Sequence, residues 1–289
     1  MSELTGKSVL ITGATNGIGK VTAFELARLG ASVTIVGQDP GKTDRVLKQI
    51  KDYSGNPAVE GLVADLSSMA QVRQLAQEFR QKHASLHILV NNAGAIFANR
   101  MTTVDGYERT FALNHLAYYL LTNLLLDMLV SSAPARIINV SSRSHEGASM
   151  SFDDLQFEQH YGYGGYRAYG QSKLANLLFT YELARRLNGT GVTVNALHPG
   201  TVATGFGENN GAPMKLSMRI FHQFALTPEQ GADTLIYLSS SAQVEGITGK
   251  YWMNRKAIPS SPESYDEEAQ KRLWSISAQL TGIPEIVPA

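Results

Sequence analysis

Six short runs of β-branched and apolar residues, separated by helix-length stretches, set the main limit on what this chain can fold into. They read SVLIT (8–12), ASVTIV (31–36), AVEGLVA (58–64), LHILVN (86–91), ARIINVSS (135–142) and VTVNALHP (192–199). The runs are continuously apolar rather than alternating, which marks strands buried on both faces. Helical patterns lie between them: 18–29, a charged stretch to about 53, a stretch through Val72, Leu75 and Phe79, then 106–130 and 166–187. Strands spaced by helices call for right-handed crossovers and a parallel sheet. The expectation is one doubly wound α/β domain over 1–289, with TGKYW (248–252) adding a seventh strand. Residues 144–165 and 200–227 break the rhythm. Both follow strand C-termini, where such sheets bind ligands, and read as an insert and a substrate loop. Residues 283–289 read as a tail.

Composition removes several function classes. Lys plus Arg and Asp plus Glu are 25 each, so no basic surplus points to nucleic acid or an anionic membrane. The absence of cysteine excludes disulfides, thiolate metal sites and cysteine nucleophiles. The apolar stretch 113–130 is interrupted by Asn114, His115, Asn123 and Asp127, too polar for a membrane span. MSELTGKSVLITG carries no basic-then-apolar signal pattern, and the expected location is cytoplasmic. His115, His145, His160 and His198 lack metal-ligand spacing, so they read as structural and no metal is expected.

The first run leads into TGATNGIG (12–19), which opens a helix. Gly13, Gly17 and Gly19 form a variant of the dinucleotide fingerprint. Gly13 permits the turn, Gly17 the approach of a pyrophosphate and Gly19 close helix–strand packing, with the helix N-terminus facing phosphates. This is the mark of a Rossmann-type domain. The second run ends in Gly37-Gln38-Asp39. Asp39 either reads a ribose or forms a turn before Pro40; Gly37 leaves room for a phosphate, with Lys42 and Arg45 as candidate charges.

YRAYGQSKLAN (166–176) holds two tyrosines, and only Tyr169 has a lysine, Lys173, four positions on and on the same helical face. A cation about 4 Å away at an effective dielectric of about 20 is worth roughly 4 kcal/mol, or about three pKa units. Lys173 is thereby expected to draw Tyr169 toward neutrality, where acid–base catalysis is most efficient. Tyr166 is expected to wall a cleft or to pack.

TGATNGIG, Asp65, NNAG (91–94), Asn114, Ser141-Ser142, Tyr169-x-x-x-Lys173 and HPG (198–200) occur in that order. The order resembles the short-chain dehydrogenase/reductase superfamily over nearly the whole chain. LNHLAYYLLTNLLLDML, RIINVSS and YGQSKLANLLFTYELARRL are similar to its retinol dehydrogenase-like members, as is the long gap from Ser142 to Tyr169. The resemblance implies hydride transfer between a nicotinamide cofactor and an apolar alcohol or carbonyl substrate. It implies that Tyr169 passes the proton, Ser142 stabilises the substrate oxygen, Lys173 binds the nicotinamide ribose, and Asn114 holds a relay water. It implies a cofactor lined by Gly13, Thr15, Asn16, Gly17, Ile18, Gly19, Gln38, Asp65, Leu66, Asn92, Ala93, Gly94, Pro199, Gly200, Val202 and Thr204. Asp65 would meet the adenine or instead cap a helix near Ser68.

NADP(H) is favoured over NAD(H), since the acid of NAD-preferring relatives is missing at Gly37, although Gln38 replaces the arginine of NADP-preferring ones. Membrane-bound relatives carry an N-terminal anchor, and the expected substrate here is not a membrane lipid. Met214, Met218, Phe221 and Phe224 fit either a helix face or a lid. The alternatives are a carbon–carbon double-bond reductase of the protochlorophyllide reductase-like type and a non-catalytic NAD(P)-binding protein. A monomer and a homodimer are both compatible with the pattern.

Overall fold

In the computed structural model, residues 4–202 and 226–284 are described. The six apolar runs form β1 (Ser8–Thr12), β2 (Ser32–Gly37), β3 (Val59–Val63), β4 (Ile88–Asn91), β5 (Ala135–Val140) and β6 (Val192–Leu197). β7 (Lys250–Met253) and β8 (Lys256–Ile258) complete a sheet of order β3-β2-β1-β4-β5-β6-β7-β8. All neighbours are parallel except β8, which runs antiparallel to β7. The sequence reading reached seven strands; the eighth is a three-residue, largely exposed edge with no apolar run to reveal it.

Burial on both faces explains the unbroken runs. Val9 and Ile11 join a core with Val33, Ile35 and Leu26 of α1 (Gly17–Arg28) and Val46 and Ile50 of α2 (Pro40–Ser54). Leu10, between them, points to the other face, with Val72 and Phe79 of α3 (Met69–Lys82). That second layer also holds α4 (Ala117–Leu124), α5 (Leu126–Ser131) and α6 (Tyr166–Arg186). Two further helices were not named from the sequence. α7 (Pro228–Ser240) carries a capping box between Thr227 and Gln230. α8 (Glu267–Thr281) is capped by Asp266 and buries Leu273 and Trp274.

The expected single segment 106–130 is broken. One α-turn, Arg109–Phe111, passes into a π-helical turn, Ala112–Leu116, before α4, and the chain bends again at Leu125. π-Turns concentrate at functional sites, and this one carries Asn114. Among the described residues no helix is long and apolar enough to cross a membrane.

Candidate active site

The C-terminal ends of the strands open into one cavity of about 670 Å³. Its walls include Gly13, Thr15, Asn16, Gly17, Ile18, Gly19, Gln38, Asp65, Leu66, Asn92, Ala93, Gly94, Ser142, Tyr169, Lys173, Pro199, Gly200 and Val202. Thr204, Met214, Met218, Phe221 and Phe224 lie outside the described residues. Asn114 is not on the wall.

At one end, the β1–α1 turn is built for close approach. Gly13 has φ 65°, and a Cβ there would sit 2.7 Å from the Cα of Ala93. A Cβ on Gly19 would meet the Gly13 carbonyl at 2.6 Å and overlap the Asn92 amide. Asn92 spends both amide hydrogens on the carbonyls of Thr12 (2.8 Å) and Gly13 (3.1 Å). The hydroxyl of Thr12 accepts from the backbone N–H groups of Asn92 (2.9 Å) and Ala93 (3.0 Å) and donates to Val90 (3.3 Å). Thr12 thus locks the strand end that carries Asn92-Ala93-Gly94 to the glycine turn, a role the sequence reading did not assign.

At the ribose-reading position, the Cβ direction of Gly37 is filled by the side chains of Thr43 and Thr15, so only glycine fits there. Asp39 is the N-cap of α2, accepting from the Lys42 N–H at 2.7 Å. Gly37 and Gln38 both line the cavity. Asp65 makes a turn of its own, accepting from the N–H (2.9 Å) and hydroxyl (2.7 Å) of Ser67, while Ser68 caps α3.

At the other end, α6 brings Tyr169 and Lys173 to the carboxyl end of β5. Ser141 turns away and donates to the Lys173 carbonyl at 2.8 Å. Ser142 faces the cavity and hydrogen-bonds Tyr169. Its hydroxyl also donates to the Ser144 hydroxyl and accepts from the Ser144 N–H, both at 3.2 Å. Gly170 lets this turn press on α6, since a Cβ there would lie 2.8 Å from the Ser144 carbonyl.

The expected electrostatics of the pair are reversed. The ammonium of Lys173 donates to the Val140 carbonyl at 2.9 Å and lies 5.6 Å from the centre of the Tyr169 ring and 5.8 Å from that of Tyr118. Burial pushes Tyr169 up to about 12, with the Ser142 hydrogen bond pulling it back only in part. Burial brings Lys173 down to about 7. Both groups are dehydrated, and dehydration prevails over their Coulomb interaction.

The side chain of Asn114 is engaged within the fold. Its amide oxygen accepts from the Ala95 N–H (2.9 Å), and its two amide hydrogens go to the Ala95 carbonyl (3.0 Å) and the Ser172 hydroxyl (2.9 Å). The side chain clamps the backbone beside Gly94 to α6 through Ser172.

Beyond Tyr169 the wall is formed by Ile96, Phe97, Leu113 and the exposed Tyr166, with Arg109 and Arg143 as its charged members. Arg109 lies over the Phe97 ring at 4.7 Å, and Arg143 pairs with Glu146 at 3.4 Å. The 144–165 insert supports this wall, as Tyr161 donates to the Phe97 carbonyl at 2.8 Å. Ile96, Phe97, Arg109 and Leu113 were not singled out from the sequence, since each is an ordinary residue whose position depends on the fold. Among the described residues no cluster could hold a metal.

The cavity suits an elongated dinucleotide. Side-chain-free backbone lines the pyrophosphate end, and the α1 N-terminus faces it. At the far end a Cβ on Gly94 would lie 3.2 Å from the Asn114 amide oxygen and 3.4 Å from the Lys173 ammonium, so glycine gives these groups their closest fit.

The short chain dehydrogenase family model matches residues 7–153 and 157–215. Human retinol dehydrogenase 14 is 44% identical over 96% of this chain and 87% of its own length. Human retinol dehydrogenase 13 is 42% identical over 98% and 86%. Among solved structures, an uncharacterised protein from Mycobacterium paratuberculosis superposes with a TM-score of 0.78 at 31% identity, covering 99% of this chain and 96% of that one. The Pseudomonas aeruginosa RhlG/NADP active-site complex gives 0.69 at 30% identity, covering 86% and 94%.

Proposed function

The chain belongs to the short-chain dehydrogenase family, as an NAD(P)-dependent oxidoreductase of alcohols and carbonyls, and from that premise we propose that Tyr169 exchanges the proton with an apolar substrate. The observation that carries this reading is the placement of a half-buried Tyr169 at the cavity end, beside Ser142 and Lys173 and opposite the glycine turn.

The nicotinamide cofactor supplies the hydride; the chain holds the reactants and moves the proton. A carbonyl oxygen lodged between Ser142 and Tyr169 meets the Tyr169 hydroxyl and, once it turns from the Ser144 hydroxyl, that of Ser142. Ser142 steadies the negative charge that grows on that oxygen. Tyr169, which keeps its proton at neutral pH, transfers it there. Lys173 sits behind Tyr169 with a proton affinity close to neutrality, suited to restoring that proton. In alcohol oxidation the same groups act in reverse, with Tyr169 first giving up its proton. Ile96, Phe97 and Leu113 exclude water and favour an apolar substrate body.

NADP(H) is the proposed cofactor. No carboxylate is free at Gly37 or Gln38 to repel a 2′-phosphate, because Asp39 is committed to capping α2. The RhlG complex with NADP is a relative of similar fold.

A panel of carbonyls and alcohols, run with NADPH and NADH side by side, tests both points. Tyr169→Phe should keep NADPH affinity and lower kcat by a factor of about 10² to 10⁴. Near-normal turnover in that variant would refute the role of Tyr169. A saturated carbon product in place of an alcohol would establish double-bond reduction.

A further inference from the structure

His145 lies three residues after Ser142, fully buried, at the end of the turn Arg143–His145. Its ring spans two backbone groups. Nδ1 is 2.6 Å from the Ser142 carbonyl, and Nε2 is 3.1 Å from the Ser261 N–H. A backbone N–H only donates, so Nε2 must be the acceptor. The ring is therefore neutral with its hydrogen on Nδ1, and it donates to Ser142. The His145 N–H donates to the same carbonyl at 3.2 Å. On the far side, Ser261 is held by the hydroxyl (2.6 Å) and N–H (3.0 Å) of Ser264, which both donate to its carbonyl.

We infer that His145 is a positioning residue for Ser142, a neutral Nδ1–H imidazole that ties the serine's backbone to the C-terminal segment around Ser261 and so keeps its hydroxyl aimed at Tyr169. This rests on the proposed role of Ser142. The serine backbone is extended, with φ −160° and ψ 156°, and its hydroxyl serves the cavity while its carbonyl serves the imidazole. Rotation of that carbonyl would swing the whole Ser142–Ser144 turn, including the N–H of Ser144 that holds the hydroxyl.

The link depends on charge state. A protonated ring has two donors, and Nε2–H would then oppose the Ser261 N–H. Burial holds His145 below the ordinary histidine range. Arg143 and Glu146 of its own turn, Glu263 of the C-terminal turn and His198 after β6 act on it electrostatically, and the Tyr251 ring of β7 stands edge-on at 5.0 Å. Losing the neutral form should release Ser142 on the acid side.

Two amide substitutions separate the two halves of the link. His145→Asn places an amide N–H near the position of Nδ1 and keeps the donor to Ser142. His145→Gln reaches the position of Nε2, keeps a partner for Ser261 and loses that donor. Carbonyl reduction with NADPH should retain kcat within about threefold in the Asn variant and fall at least about 30-fold in the Gln variant, a difference of about 2 kcal/mol at the transition state. NADPH affinity should change less than about twofold in both. Equal kcat in two folded variants overturns the inference.

A pH titration of the wild type serves if those variants do not fold: the acid limb of kcat should coincide with protonation of the His145 ring followed by ¹⁵N NMR, and a limb that does not move with the ring overturns the inference. Imidazole ¹⁵N NMR of the wild type reads the tautomer without turnover. A neutral Nδ1–H ring in a protein inactive on the whole panel would place the failure in the proposed reaction, whereas an Nε2–H ring would place it in the link.

Discussion

Thr12→Val exchanges one hydroxyl for a methyl at a site 1% exposed. Two backbone donors lose their acceptor: the part-buried N–H of Asn92, at 2.9 Å, and the buried N–H of Ala93, at 3.0 Å. An unsatisfied buried N–H costs about 1–3 kcal/mol. The part-buried group belongs at the low end of that range and the buried one at the high end, so the expected loss is about 3–4 kcal/mol. For a domain of this size that lowers Tm by roughly 6–12 °C. Urea unfolding followed by circular dichroism measures it, with Thr12→Ser as the control. Serine keeps the hydroxyl and should lose only about 1 kcal/mol for the missing methyl. Because Asn92, Ala93 and Gly94 line the cavity, NADPH affinity should fall in the Val variant and persist in the Ser variant. A Val variant within about 0.5 kcal/mol of wild type would refute the claim that Thr12 satisfies these two groups and fixes the strand end.

Gly19→Ala forces a methyl against the Gly13 carbonyl and the Asn92 amide; fluorescence titration should show NADPH binding at least about tenfold weaker, and unfolding a loss of about 1–3 kcal/mol. Burial lowers His115 to about 3 and His198 to about 4. The unfolded chain takes up these protons near pH 6.5, so the stabilisation is complete above that pH and is lost as pH falls toward the folded values, at about 1.4 kcal/mol per pH unit for each histidine. Urea midpoints between pH 7 and 5 should show this slope, and His115→Gln should flatten it. Tyr161→Phe removes the donor to the Phe97 carbonyl; it should cost about 1 kcal/mol and raise KM for the carbonyl substrate while NADPH affinity stays unchanged.

The sheet was legible because each central strand is buried on both faces, which makes its run continuous in sequence. β8 was not, since an exposed three-residue edge needs no apolar signature. α8 did leave a signal, an aspartate cap with Leu273 and Trp274 turned inward. Gly13 and Gly19 were legible as glycines that a close approach requires; that the approaching groups are Ala93 and Asn92 was not, because it depends on where β4 ends. Thr12 and His145 gave no local signal. Each acts on backbone groups distant in sequence, at positions 92 and 93 for Thr12 and 261 for His145.

Spacing along a helix settles adjacency but leaves charge undetermined. The four-residue interval correctly put Tyr169 beside Lys173, and the Coulomb estimate then treated the lysine as a full charge in a partly wet site. In the structure Lys173 is 3% exposed and its own protonation is disfavoured. A lysine whose protonation burial disfavours offers its neighbour less than a full charge, while dehydration still raises the half-buried tyrosine. The same burial therefore lifts the tyrosine and depresses the lysine, bringing both toward their neutral forms. Under the proposed role of Tyr169, the tyrosine then meets a bound carbonyl with its proton in place at neutral pH, beside a lysine that titrates near that pH.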